Sequence, residues 1–274
     1  MGALYGLKDK VAVVTGAGSG IGRALAQLLA QKGCRLALAD IDEASLKQTA
    51  NELSAEVITQ KLDVANRAAV YAFADTVKQH FGSAHVVVNN AGVALTQSVN
   101  EMSWEDFEWL MGINFWGVTY GTKAFLPTLL AQNEGTIVNL SSVFGIIAVP
   151  TQSAYNAAKF AVRGFTEALR HELKDTQVRA ISVHPGGIRT NIVRASRFYR
   201  DPFGQTDKNR IVERFEKMAR TTPEKAAATI VRAIEKGSPR VLIGADAHLI
   251  DQIQRMMPES YNVVMNAVMQ RMNK

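Results

Sequence analysis

Short apolar runs recur along the chain at 11–15, 35–40, 57–62, 86–89, 136–140, 178–184 and 241–243. Between them, apolar positions fall three to four residues apart over 21–32, 43–53, 67–80, 104–130, 155–173 and 223–235. Uninterrupted apolar runs describe strands buried on both faces, and the wider spacing describes helices with one buried stripe. Their alternation predicts an α/β fold of the Rossmann type. It is a doubly wound parallel sheet of about seven strands with helices on both faces.

Two stretches break the rhythm. Residues 187–222 are polar, basic and poorly periodic. They follow a strand's C-terminal end, where open α/β sheets bind ligands, so the stretch is predicted to be a substrate lid. A solvated surface loop is the plainer alternative. The second is the tail, 245–274, where Val263, Val264, Ala267, Val268 and Met272 sit at near-helical spacing. Such a stripe predicts packing against the core or a subunit contact, with membrane contact a minor alternative.

Composition narrows the class. A chain of 274 residues suits one catalytic domain that includes lid and tail. One cysteine, Cys34, allows no internal disulfide. The first ten residues hold no apolar signal core, and Gly6 stands where a myristoylation signal needs Ser or Thr. The expectation is a cytoplasmic protein. The net charge of +6 is dispersed, and the basic residues from Arg189 to Arg220 alternate with Asp201, Asp207, Glu213 and Glu216. No dense basic block points to nucleic acid. No metal site is expected.

The first strand leads into Thr15-Gly16-Ala17-Gly18-Ser19-Gly20-Ile21-Gly22, and a helix follows. Glycines let the backbone approach a pyrophosphate, and free N–H groups at the helix start face the anion. Gly16, Ser19, Gly20 and Ile21 are the expected contacts. Asp40 ends the second strand, about 20 residues on, where a carboxylate accepts both ribose hydroxyls of NAD and repels the 2′-phosphate of NADP. No Arg or Lys stands at Ala17, Ser19 or Ile41 to receive that phosphate. Asp40 is also a candidate helix N-cap, a job Asp42 fits better. Asp63-Val64 and Asn90-Ala91-Gly92 end the third and fourth strands and join the cofactor set. Their bland alternatives are Asx turns at Asp63 and Asn90 and a tight turn at Gly92.

The fifth strand runs into Asn139-Leu140-Ser141-Ser142, followed by Tyr155 and Lys159 one helical turn apart. Taken in order, TGAGSGIG, NNAG, Asn114, NLSS, YNAAK and PGGIRT resemble the short-chain dehydrogenase/reductase family over residues 7–243. The resemblance implies catalytic roles for Asn114, Ser142, Tyr155 and Lys159. Ser142 is preferred to Ser141 because it precedes Tyr155 by the family's thirteen positions. It further implies that Pro185 and Gly186 border the cofactor, that Ile188 presents backbone to the nicotinamide amide, and that Thr190 reaches the phosphates. Asn114 matches the residue whose carbonyl holds a water beside the lysine.

Tyrosine is too weak an acid to act as a base at neutral pH without help. The expectation is that the Lys159 ammonium and the positive nicotinamide ring lower its pKa by about two to three units, roughly 3–4 kcal/mol. The implied reaction moves a hydride between NAD and a secondary alcohol or ketone. The alternatives are an NADP-dependent ketone reductase and a non-catalytic NAD-binding protein. Apolar residues in the lid (Ile192, Val193, Phe198, Tyr199, Phe203, Ile211, Val212, Phe215, Met218) and in the loop Val143, Phe144, Ile146, Ile147, Val149 favour a hydrophobic substrate. Arg189, Arg194 and Arg197 are candidate contacts for an acidic group, or plain solvent-facing charges. Surplus apolar residues on helices 104–130 and 155–173 (Trp109, Phe115, Phe125, Phe160, Phe165, Leu169) predict a homotetramer, or a homodimer.

Overall fold

A computed structural model describes residues 5–273, with side chains through residue 267. Seven parallel strands form the central sheet: β1 (Val11–Thr15), β2 (Arg35–Asp40), β3 (Val57–Lys61), β4 (Val86–Asn89), β6 (Gly135–Leu140), β7 (Val178–Pro185) and β9 (Arg240–Ile243). Their spatial order is β3-β2-β1-β4-β6-β7-β9, so the order reverses direction between β1 and β4. In such sheets the ligand crevice opens at that reversal, beyond the strands' C-terminal ends.

The strands' side chains divide by parity between two cores. Ala12 and Val14 of β1 join one with Leu25 and Leu29, whereas Val11 and Val13 join the other with Phe73, Phe125 and Leu129. The first core lies under α1 (Gly20–Gln31) and α8 (Pro223–Lys236). The second lies under α3 (Arg67–Phe81), α5 (Gly117–Ala131) and α6 (Ser153–Glu172). Full burial of each Val, Leu or Phe contributes about 1.5–3 kcal/mol, so both faces hold the sheet in place.

Helix starts follow their capping chemistry. Asp42 accepts from the Ala44 and Ser45 N–H groups to cap α2 (Glu43–Asn51), as its sequence position predicts. Thr222 caps α8, whose first position is Pro223. The expected helix 104–130 is interrupted. It is α4 (Trp104–Met111), a π turn (Gly112–Trp116) and then α5. The Gly117 N–H reaches back to the Gly112 carbonyl, which inserts one extra residue into the ladder.

The stretch 187–222 is more ordered than its polarity suggests. It holds β8 (Arg197–Phe198) and the helix α7 (Lys208–Met218), which buries Val212. β8 pairs in parallel with β5 (Leu95–Thr96). The three arginines there engage the protein itself. Arg189 Nε donates to the Ala219 carbonyl, Arg194 pairs with Glu216, and Arg197 pairs with buried Asp106 at 2.7 Å. The Arg197 guanidinium also stacks 3.8 Å from the Trp109 ring centroid.

The tail forms α9 (Ala245–Met256) and α10 (Tyr261–Asn273). Val263 is exposed and Val264 half-buried, while the side chains of Val268 and Met272 lie outside the described residues. Among the described residues, no helix is long and apolar enough to cross a membrane. Of the surplus apolar residues, Phe125 and Leu169 belong to the protein's own core and Trp109 packs under Arg197. Trp116 and Phe160 remain exposed, with Trp116 stacked on Tyr120.

Candidate active site

The glycine turn is built so that no side chain fills it. Gly16 and Gly20 take positive φ, +66° and +51°, which other residues rarely adopt. A Cβ on Gly22 would collide with the Gly16 carbonyl, and one on Gly18 would sit 2.9 Å from Asp40 Oδ2. Ser19 starts α1 without a side-chain cap. The first turn of α1 is therefore left without a side-chain cap, which suits anion binding at its N–H groups.

Three side chains hold this turn in place. Asn90 Nδ2 donates to the Thr15 carbonyl (2.9 Å) and to the Gly16 carbonyl (3.2 Å). This is a strut rather than the Asx turn considered for it. Thr15 Oγ1 accepts the N–H groups of Asn90 and Ala91, both at 3.1 Å. Arg23 Nη2 donates to the Gly18 carbonyl at 2.6 Å. Neither Thr15 nor Arg23 was expected to contribute, because each acts on the turn through backbone atoms.

Asp40 faces the turn. Its Oδ2 accepts the Gly18 N–H at 2.8 Å and its Oδ1 accepts the Asp42 N–H at 3.0 Å. Asp63 accepts the Ala65 N–H in an Asx turn, as its bland alternative holds, and the Val64 side chain is buried against Gly117. Thr190 packs against Gly20, so the strand end after Pro185 does reach the start of α1. Ile188 is buried and bridges Thr221, while Gly187 donates to Asp246 Oδ2 at 2.6 Å. The Gly186 N–H donates to the Ile243 carbonyl at 2.9 Å.

The other residues gather at the ends of β4 and β6. Asn114 lies in the π turn and is fully buried. Its amide closes a two-way bond with Val93, Oδ1 accepting the N–H and Nδ2 donating to the carbonyl, both at 2.8 Å. Gly92 lies close to the cluster, since a Cβ there would stand 3.2 Å from Asn114 Oδ1 and 3.6 Å from Lys159 Nζ.

The two serines separate cleanly. Ser141 Oγ donates to the Lys159 carbonyl at 2.8 Å, an internal bond between β6 and α6. Ser142 lies close enough to Tyr155 to favour its ionised form, and its Oγ accepts the Phe144 N–H at 3.1 Å. Phe144 meets the Tyr155 ring edge-on, centroids 6.1 Å apart. Val143, Ile146 and Ile147 of the same loop are buried. Asn156 was not anticipated as part of the site. Its Nδ2 donates to the Phe144 and Ile147 carbonyls at 2.9 Å each, and its Oδ1 accepts the Val149 N–H at 3.2 Å.

Lys159 is buried, and its Nζ donates to the Leu140 carbonyl at 2.9 Å. Burial pushes its pKa down to about 8. Burial also pushes the Tyr155 phenol up to about 12, with the Ser142 hydrogen bond pulling the other way. The expected depression of the Tyr155 pKa is therefore absent from the protein's own electrostatics. Desolvation disfavours the charged form of both groups and outweighs their neighbours. A separate open cleft of about 710 Å³ lies between Ser98–Glu101, Pro150–Thr151 and Arg200–Gly204, and neither Ser142 nor Tyr155 lines it.

A parallel sheet reversing beside a glycine cradle and a Ser–Tyr–Lys cluster defines a dinucleotide-dependent oxidoreductase scaffold. The model of the short chain dehydrogenase family matches residues 10–199. The chain belongs to that family. It is 50% identical over 260 residues to the putative oxidoreductase SadH of Mycobacterium tuberculosis, covering 93% of each chain. A Burkholderia phymatum short-chain dehydrogenase/reductase solved with NAD superposes with a TM-score of 0.87 at 33% identity, over 93% of this chain and 96% of that one. A Thermococcus sibiricus alcohol dehydrogenase solved with 5-hydroxy-NADP gives a TM-score of 0.72 at 29% identity, over 86% and 95%. Relatives on this fold thus bind either form of the cofactor.

Proposed function

We propose that this protein is an NAD-dependent oxidoreductase acting on an apolar secondary alcohol or the matching ketone, with Tyr155 as general acid and base. The observation that carries this reading is the meeting of Ser142, Tyr155 and Lys159 at the sheet edge beside the glycine cradle. When bound, NAD supplies the carbon that takes the hydride and a positively charged ring.

The chain's own residues handle the proton. Tyr155 Oη takes the alcohol's hydroxyl proton during oxidation and returns it during reduction. Ser142 Oγ donates to the substrate oxygen and fixes its distance from Tyr155. Bringing a phenol from about 12 to the neutral range needs roughly 6 kcal/mol of differential stabilisation. One cation in a partly screened site supplies about 4 kcal/mol. The Lys159 ammonium and the nicotinamide charge both favour the phenolate. With its pKa near 8, Lys159 remains largely protonated at neutral pH. Asn114 shapes the site beside Lys159 by tying the π turn to Val93.

Asp40 supports NAD over NADP. Its carboxylate stands against the Gly18 N–H, where a 2′-phosphate would meet a like charge. Asp63, Val64, Ala91, Ile188 and Thr190 complete the cofactor contacts in this reading. Residues 187–222 act as the lid of a single catalytic unit, and the molecule works as a homotetramer. The test is a turnover screen of secondary alcohols and ketones with each cofactor, run on the wild type and on Tyr155→Phe. Activity that is equal in the two proteins, or that needs NADP, defeats the reading.

A further inference from the structure

Behind Ser142, on β7, lies a histidine that shows no solvent exposure. His184 Nδ1 is 3.0 Å from the Ser142 carbonyl oxygen, and Nε2 is 3.0 Å from Ser182 Oγ. A carbonyl oxygen only accepts, so Nδ1 carries a proton. Burial holds this imidazole at about 4, so it is neutral at physiological pH and its Nε2 accepts the Ser182 hydroxyl. Both ring nitrogens are satisfied, and the tautomer is fixed by its partners.

The Ser142 carbonyl takes a second donor, the Gly145 N–H at 3.0 Å, which closes the short 3₁₀ turn Val143–Gly145. One donor therefore comes from the sheet and one from the loop. Together they fix the rotation about the Ser142 Cα–C bond, which is extended with ψ 169°. That rotation also places the Phe144 N–H, which holds Ser142 Oγ at 3.1 Å. Without the histidine, only the loop's own bonds would set the serine. A buried imidazole costs solvation that a leucine would not, so its retention here calls for such a return.

We propose that His184 is a positioning residue for the reaction, locking the Ser142 peptide so that Oγ is presented to Tyr155. This rests on the assignment of Ser142 above. Arg240, Arg163 and Glu167 act on the ring through charge rather than by a hydrogen bond.

The test compares His184→Asn with His184→Gln. The Asn amide nitrogen overlies Nδ1 and keeps the donor to Ser142. The Gln amide extends toward Ser182 and leaves the carbonyl with the loop donor alone. Nitrogen-15 NMR of the wild type should show the neutral Nδ1–H tautomer across the neutral pH range. Crystal structures should show Ser142 Oγ in place in His184→Asn and moved by about 1 Å in His184→Gln. With a substrate from the screen, His184→Gln should lose about tenfold or more in kcat with NAD affinity kept, and His184→Asn should recover it. Added to Ser142→Ala, His184→Gln should cost nothing further. An Nε2–H tautomer, an unmoved Ser142, or equal losses with and without Ser142 overturns the proposal. The tautomer and His184→Asn measurements need no folded Gln variant. Wild-type turnover in Ser142→Ala would instead remove the serine's role, while the tautomer and the displacement would stand.

Discussion

The Lys159 ammonium lies 5.6 Å from the centroid of the Tyr155 ring and at the same time donates to the Leu140 carbonyl, tying α6 to the end of β6. The charge that matters to the phenol is thus anchored to the sheet and cannot drift from it.

Removing the phenol oxygen should leave this framework in place. Tyr155→Phe is expected to lower kcat by about three orders of magnitude, within the range for loss of a general acid–base. NAD affinity, measured by fluorescence titration, should change by less than about threefold. A variant that binds NAD poorly would show that Tyr155 serves the cofactor more than the proton.

Asp40→Ala removes both the acceptor for the ribose hydroxyls and the like charge facing a 2′-phosphate. NAD binding should weaken by about tenfold, or about 1.4 kcal/mol, while NADP binding improves. Calorimetric titration of each cofactor against both proteins checks this. Parallel weakening of the two would make Asp40 a brace for Gly18 and nothing more.

His184 also sets an acid limit on stability. Its folded pKa of about 4 lies below the unfolded value of 6.5, so the unfolded chain binds more protons between these two. Stability therefore rises with pH through that window and falls as pH drops from 6.5 towards 4. The full swing is roughly 3 kcal/mol. Arg240 and Arg163 deepen the depression, and Glu167 opposes it. Urea melts at intervals across the window should show a steeper acid loss in the wild type than in His184→Asn. Superimposable curves would refute the depressed pKa.

Asn156→Ala deletes three hydrogen bonds that hold the loop 144–149 over Tyr155. The expected cost is about 2–4 kcal/mol of stability, because buried carbonyls lose their partners. In the proposed reading the loop borders the substrate, so substrate KM should rise more than NAD KM. Thermal melts and two-substrate kinetics measure the two effects separately.

Trp116 and Phe160, exposed in one chain, should be covered in the assembly. Sedimentation equilibrium should give four times the 29.9 kDa chain mass. Trp116→Glu should split that species, and truncation before Pro258 tests whether the tail adds a second interface. A monomeric wild type at micromolar concentration would end the tetramer proposal.

The sheet was legible in the sequence because its strands are covered on both faces and leave no polar interruption. The π turn was not, since one added residue barely disturbs the apolar spacing of a run as long as 104–130. Helix α7 was not legible because its apolar stripe is only Ile211, Val212, Phe215 and Met218, short and set in an otherwise charged, polar stretch. The Ser–Tyr–Lys cluster was legible from spacing and order. Arg23, Asn156, His184 and Asp246 were not, since each acts on a backbone atom that no side-chain pattern reveals. The burial that raises the Tyr155 phenol in the protein alone was not legible either, because burial depth has no signature in the local sequence.

The Tyr261 hydroxyl accepts the Ala148 N–H at 3.0 Å, joining α10 to the loop beside the phenol. In the proposed reading that loop borders the reactant, so Tyr261 braces part of the substrate wall. Genetic drift in the last few turns could retune what the enzyme accepts while every residue of the reacting cluster stays the same. A purification tag fused at the C-terminus is a kinetic perturbation for the same reason, and assays on tagged and untagged protein need not agree.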